Sequence, residues 1–449
     1  MTMVTDKQDN NQGKNFLNVP SKREQSQTNL SSAEREGLRP KGNVPTLRFP
    51  EFTDKWKECE LQDVASISKG AGISKNQLSD TGEPCILYGE LYTKYKSELI
   101  TDVLSKTNID TANLVRSKAN DVIIPSSGET AIDISTARCV PFNNILLGGD
   151  LNLIRLREQD GKFFSYQLNG VRKLDIAQIA QGVSVVHLYG ESLKRLIVHY
   201  PSKPEQEKIS SLLAAIDERI TTQIRTIEDL KAEKKYLLEQ LFCLPNEYSP
   251  KMRLHGYCGN WQKVRLSEIV NRITRRNKEN GSNRVLTIAA QYGLIDQQEF
   301  FKKQIASSDL SNYYLLHNGD FAYNKSYSGD YPWGAVKRLD KYPDGVLSSL
   351  YICFRPTEHV DSDFLCYYFE STKWYRGIME ISGEGARNHG LLNMSVEDFF
   401  ATLLRIPTIE EQKDISKMLN IFSQKVAIEE QLLNKLQVQK NFLLNEMFV

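Results

Sequence analysis

One helix is written twice in this chain. "PSKPEQEKISSLL" begins at Pro201 and "PTIEEQKDISKML" at Pro407, and the match runs without a gap to Cys243 and Val449. Pro201, Glu205, Gln206, Ile209, Ser210, Leu213, Leu230, Lys234, Leu237, Leu238 and Phe242 each recur 206 residues later. An ungapped match of that length marks an internal repeat, and a repeat constrains architecture more than any single residue does. Apolar residues follow steps of four and three in both copies. They are Ile209, Leu213, Ile216, Ile220, Ile227, Leu230, Leu237 and Leu241, then Ile415, Leu419, Phe422, Val426, Leu433, Leu436, Leu443 and Met447. That spacing predicts two long helices of coiled-coil type. Ser202 with Glu205, and Thr408 with Glu411, have capping-box spacing, which predicts that each pair satisfies first-turn amides.

Polar residues interrupt both seams at matching places: Gln223 and Glu429 in one register, Lys234 and Lys440 in the other. Antiparallel pairing about a pseudo-twofold axis brings Lys234 toward Glu429 and Lys440 toward Gln223. Parallel pairing sets lysine beside lysine, which is unfavourable. The alternative is that each polar group tilts out to solvent.

The repeat reaches beyond the helices. "LRFPEFTDKWKECELQDV" (47–64) resembles "MRLHGYCGNWQKVRLSEI" (252–269), with Arg48, Trp56 and Leu61 matching Arg253, Trp261 and Leu266. "NDVIIPSS" (120–127) parallels "GDFAYNKS" (319–326), and "FFSYQLN" (163–169) parallels "FLCYYFE" (364–370) at the start of a helix. The chain therefore reads as a disordered polar tail (1–43), a domain (44–200), a long helix (201–243), a linker with Pro245 and Pro250 (244–251), a second domain (252–405) and a second long helix (406–449). The fold class is α+β: two similar mixed domains joined by an antiparallel coiled coil. The two domains share a skeleton but differ in their middle segments. The matching tryptophans point to a shared structural role.

Bulk chemistry narrows the function. Net charge is +1 over 449 residues, so any nucleic-acid surface has to be local. Seven cysteines without a CxxC pair argue against a disulfide scaffold or structural zinc. No apolar run of membrane length occurs, which leads us to expect a cytoplasmic, soluble protein. Phosphate loops, HExxH, GxSxG, the amino-methyltransferase N/D-P-P-Y/F tetrapeptide and a nuclease carboxylate cluster are all missing from the sequence. A binding protein fits better than an enzyme, and we expect no catalytic residue and no metal ligand.

Two variable domains, each followed by a near-duplicate helix starting P-x-x-x-E-Q, resemble the specificity (S) subunit of type I restriction-modification enzymes. The "LRFPEF…W" opening and the "IP…EEQ" helix start carry the resemblance, which covers about residues 44–449. It implies a DNA-binding, non-catalytic subunit of a restriction system. Each target recognition domain would read one half of a bipartite, asymmetric site on double-stranded DNA. The helices would set the spacer. Two modification (M) subunits would dock on this chain, bind S-adenosylmethionine and methylate adenine N6. Restriction (R) subunits, joined through the M subunits, would use ATP and Mg. This chain itself would bind no cofactor and no membrane. The alternatives are a coiled-coil adaptor without DNA binding and a fused restriction-methylation enzyme.

Reading DNA takes donors and acceptors at base edges and basic groups on phosphates. In the first domain the candidates are Lys69, Lys75, Tyr92, Lys94, Ser126, Ser127 and Ser184, spread over loops 68–77, 88–97, 125–138 and 180–187. In the second, "NRITRRNKENGSNR" (271–284) holds Arg272, Arg275, Arg276, Lys278 and Arg284 against Glu279, a basic stretch expected to bind phosphate. Asn324, Lys325 and Ser326, with Arg387 and Asn388, complete the set.

Overall fold

The polar residues that recur in the helix start, Glu205, Gln206 and Ser210, hold a domain to the helix. The structure is a computed structural model that describes residues 43–278, 281–289, 292–301, 309–326, 331–382 and 392–449. The two long helices span Lys203–Leu241 and Ile409–Glu446. At 1.5 Å per residue each is about 58 Å long. Contacts divide the chain into two units, residues 1–220 with 435–449, and residues 221–434.

In the first unit Glu205 is buried and receives Arg48 on both carboxylate oxygens at 2.8 Å and the Trp56 indole N–H at 3.2 Å. The next residue, Gln206, accepts the Asp160 amide at 3.0 Å and donates to the Pro201 carbonyl at 2.9 Å. Ser210 donates to Asp160 at 2.6 Å. Asp160 in turn caps the helix Gly161–Asn169. The second unit builds the same latch. Arg253 and Trp261 donate to Glu411, Gln412 accepts the Asp361 amide and donates to Pro407, Ser416 donates to Asp361, and Asp361 caps Ser362–Glu370. A bidentate arginine–carboxylate pair is geometrically specific, which suits a docking contact. The reciprocal capping boxes expected of Glu205 and Glu411 do not close: Thr408 accepts the Glu411 amide at 3.5 Å, but both carboxylates are taken by the arginine and tryptophan that open each domain.

Each unit carries a four-stranded antiparallel sheet of the same order. In the first unit the strands are Ala65–Lys69, Leu151–Leu156, Asp121–Pro125 and Arg138–Val140. In the second they are Val270–Arg272, Ile352–Pro356, Phe321–Asn324 and Ala335–Arg338. Lys57–Glu60 pairs with Ile197–Tyr200, and Gln262–Arg265 with Leu403–Ile406, so each domain's first and last strands meet just before its long helix. The remaining segments differ. The first unit adds a five-stranded sheet that includes Glu83–Ile86 and Leu146–Leu147, where the second has the hairpin Leu286–Ala289/Gly293–Asp296 and the pair Tyr314–His317/Asp344–Leu347.

The apolar seam divides its work. Ile209, Leu213 and Ile216 join Trp56, Phe163, Leu443, Met447 and Phe448 in the core of the first unit. Leu241, Ile415 and Leu419 join Trp261, Phe364 and Phe242 in the core of the second. Ile227, Leu230 and Leu436 are buried outside these cores, and Ile220, Leu237, Phe422, Val426 and Leu433 are half-buried. Within the second unit Gln223 lies opposite Glu429 while Leu241 shares a core with Ile415, so those helix segments run antiparallel.

The polar seam residues pair differently from the sequence expectation. Gln223 donates to Glu429 at 2.6 Å. Lys234 bonds Glu370 at 2.8 Å, and Lys440 bonds Glu98 at 2.5 Å and Asp217 at 2.6 Å. The lysines lie where their own unit supplies carboxylates, from the domain and, for Asp217, from the other long helix, and those acids win.

Candidate nucleic-acid interface

In the first unit the central strand Asp121–Pro125 delivers Ser126 and then the short strand Ser127–Gly128 to the sheet edge, where Val186–His187 pairs with it. Ser126 and Ser127 are buried. The backbone of Ser126 is fully used: its amide donates to Asp150 at 2.7 Å and its carbonyl accepts from Leu188 at 2.9 Å. Tyr92, on the helix Glu90–Thr93, leans over this strand: a Cβ at Gly128 would lie 3.8 Å from its hydroxyl. Burial pushes the Tyr92 phenol above its ordinary pKa. Lys94 spends its ammonium on Glu90 at 2.6 Å and Ser105 at 3.2 Å. Ser184 is exposed on the adjoining loop. Tyr92, Ser127 and Ser184 therefore belong to neighbouring segments. Lys69 ends the outer strand opposite Asn152, and Lys75 opens a 3₁₀ turn capped by Ser74; both are exposed.

In the second unit Asn324 closes the central strand and its carboxamide oxygen accepts the Ser326 amide at 2.9 Å. Lys325 is half-buried and reaches the Met394 carbonyl at 3.5 Å, while Ser326 is exposed. The arginines of the basic stretch are occupied within the fold. Arg272 faces Glu397 at 3.6 Å. Arg275 donates to the Leu315 carbonyl at 2.9 Å and pairs with Asp320 at 2.9 Å. Arg276 bonds the Asn312 carbonyl and lies 4.5 Å over the Tyr314 ring. Arg284 pairs with Asp296 at 3.6 Å and covers Tyr342. Asp320 is fully buried and also holds Arg355 at 2.5 Å. Lys278 is exposed. Arg387 and Asn388 lie outside the described residues, as does Glu279.

Counting charge along the sequence therefore overstates the free charge of this stretch. The structure also shows exposed apolar groups that a search for polar readers passes over. Val183, Val185 and Tyr189 flank Ser184, and Tyr292, Phe300 and Phe301 form an exposed aromatic group with the two phenylalanine rings 4.8 Å apart. The alternation in "GVSVVH" is the one sequence signal for the first of these. Among the described residues no group of three or more His, Cys, Asp or Glu is placed to hold a metal ion, and no helix is long and apolar enough to cross a membrane.

Comparison with known proteins gives a consistent result. The type I restriction modification DNA specificity domain is matched twice, over residues 53–231 and 259–438. Among solved structures, the chain is similar to the S subunit of a type I restriction-modification system from M. genitalium. That match has 16% identity and a TM-score of 0.55, and covers 90% of this chain and 99% of that one. It is also similar to a chain from a structural study of complex assembly and conformational transition in the type I R-M system, with 15% identity, a TM-score of 0.51 and coverage of 88% and 97%. At these identities the structural likeness speaks for the fold.

Proposed function

The chain belongs to the type I restriction modification DNA specificity family, and on that premise we propose that each unit reads one half of a split, asymmetric site on double-stranded DNA. The observation that carries this reading is the pattern of sameness and difference. Both units keep the latch and the four-stranded sheet, and both are matched by the same domain family. The segments between differ in strand number and in most candidate contacts. A shared scaffold with two unlike edges suits two unlike half-sites.

In this reading the long helices set the unread spacer, since duplex DNA advances about 3.4 Å per base pair. They also offer two similar sockets to two copies of a modification subunit, as a duplicated module does. Adenine N6 methylation, with S-adenosylmethionine, belongs to those partners; ATP-driven restriction belongs to subunits joined through them. This chain supplies sequence choice and no catalytic group. The test is to co-express the chain with its modification subunit and map N6-methyladenine on plasmid DNA by long-read sequencing. A split motif with a constant unread gap is expected. A stable complex that leaves the DNA unmethylated would overturn the reading.

A further inference from the structure

Among the described residues of the first unit, the most exposed large apolar side chain is Val183, at 99%. It sits at the tip of a tightly held turn. Gln181 and His187 exchange backbone hydrogen bonds of 2.9 and 2.7 Å. Val186 and His187 pair with Gly128 and Ser127. The Leu188 amide donates to Ser126, and the Asn152 carboxamide donates to the Leu188 carbonyl at 2.8 Å. Gly182 has φ +126°, and a Cβ there would lie 2.1 Å from the Val185 carbonyl oxygen, so the turn closes only around glycine. The base of the turn is fixed to the sheet and its tip carries Val183, Ser184 and Val185 outward. Val185 and Tyr189 are also exposed, and the His187 ring stacks on Tyr189 at 6.1 Å.

An apolar side chain held in water contributes nothing to the fold, so the fold does not explain Val183. Its surroundings indicate the occupant. The turn is a narrow projection closed by the single Gln181–His187 bridge, and a major groove about 12 Å wide admits an element of that kind. Ser184 on the turn, and His187 and the Tyr92 hydroxyl toward its base, add hydrogen-bonding groups suited to base edges and phosphates. A valine cannot read donors or acceptors. The apolar group that a major groove displays is the thymine C5 methyl. We propose that Val183 is a specificity-determining residue that packs on a thymine methyl within the half-site read by the first unit. This rests on the half-site reading above. Because the turn is already ordered, the contact carries little ordering cost.

The experiment uses the chain in complex with its modification subunits and duplexes bearing the mapped site. Each thymine of the two half-sites is replaced in turn by uracil, which removes only the methyl group. Affinity is measured for the native chain and for Val183→Ser. One uracil substitution is expected to weaken the native complex about fourfold, the effect of one buried methyl. Val183→Ser is expected to lose about the same factor on the thymine duplex and to be indifferent to uracil at that position. The substituted side chain is fully exposed, so the unfolding midpoint should not move. Native affinity in Val183→Ser, undiminished uracil sensitivity in the variant, or half-sites lacking thymine would each overturn the proposal. Failure of the native complex to retain the duplex would overturn the half-site reading itself. Retention without any uracil effect would sink only the role of Val183.

Discussion

Lys440 in the first unit and Lys234 in the second occupy the same place in the repeat, each beside the equivalent tyrosine, and they are held by different means. Lys440 lies 5.7 Å from the Tyr166 ring centre and Lys234 lies 4.9 Å from that of Tyr367. In the first unit the tyrosine hydroxyl donates to Asp217 at 2.7 Å, and Lys440 bridges Asp217 and Glu98, both buried. Burial works against the Lys440 charge, but Glu98 and Asp217 outweigh it and hold the ammonium above its ordinary pKa. Burial, then the neighbouring Glu98, raises Asp217, while Lys440, with Arg138, overcomes burial and keeps Glu98 low. In the second unit the tyrosine hydroxyl meets Asn420 at 2.6 Å and Ser423 at 2.9 Å, and Lys234 bonds a half-exposed Glu370. The lysine and tyrosine are part of the shared scaffold. Their counter-charges come from whatever each unit places nearby.

The comparison breaks most readily at Lys440. Lys440→Met would leave two buried carboxylates facing each other, at a cost of about 3–5 kcal/mol. Lys234→Met should cost about 1 kcal/mol, because Glu370 can turn to water. Hydrogen exchange in Gly161–Asn169 and in Ser362–Glu370 reads the two units separately. Equal losses would show that the asymmetry has no energetic meaning. The latch should behave in the opposite way. Glu205→Ala and Glu411→Ala each strip a buried partner from an arginine and a tryptophan, and each should cost about 2–3 kcal/mol in its own unit. A difference beyond about 1 kcal/mol would mean that the latch is not a common device. Arg275→Glu is a sharper case within the second unit. It sets a carboxylate against buried Asp320 and should lower that unit's unfolding midpoint, so lost DNA retention in that variant would report folding rather than contact.

The long helices were legible because a heptad needs only local periodicity. The latch was half-legible. Arg48, Trp56 and Glu205 recur as Arg253, Trp261 and Glu411, yet arginine and acid stand 157 and 158 residues apart, and capping-box spacing offered Glu205 a nearer partner. One lysine partner was hidden for another reason: Glu98 belongs to a segment with no aligned counterpart, so repeat logic could not point to it. Ser126 and Ser127 looked like loop donors, but the sheet edge that pairs with Val186–His187 buries them. Arg275 and Arg276 looked like free charge, because the carbonyls, Tyr314 and Asp320 that engage them lie some 36 to 45 residues further along the chain.

That occupied charge yields the smallest and most discriminating effect. Lys69 and Lys75 in the first unit and Lys278 in the second are exposed, whereas Arg275 and Arg276 are committed to the fold. A lysine on a phosphate releases a counterion, so its loss lowers the slope of log affinity against log salt by about 0.9 and weakens cognate and random duplexes alike. Lys69→Ala, Lys75→Ala and Lys278→Ala should each show that signature, with unfolding midpoints unchanged. Arg276→Ala should leave the slope alone and lower the stability of the second unit instead. A reversed pattern, with the slope following Arg276 and ignoring Lys278, would mean that the guanidinium leaves Tyr314 and the Asn312 carbonyl to reach DNA. The second unit would then reorganise on binding while the first unit, pinned by its buried charges, docks as it stands.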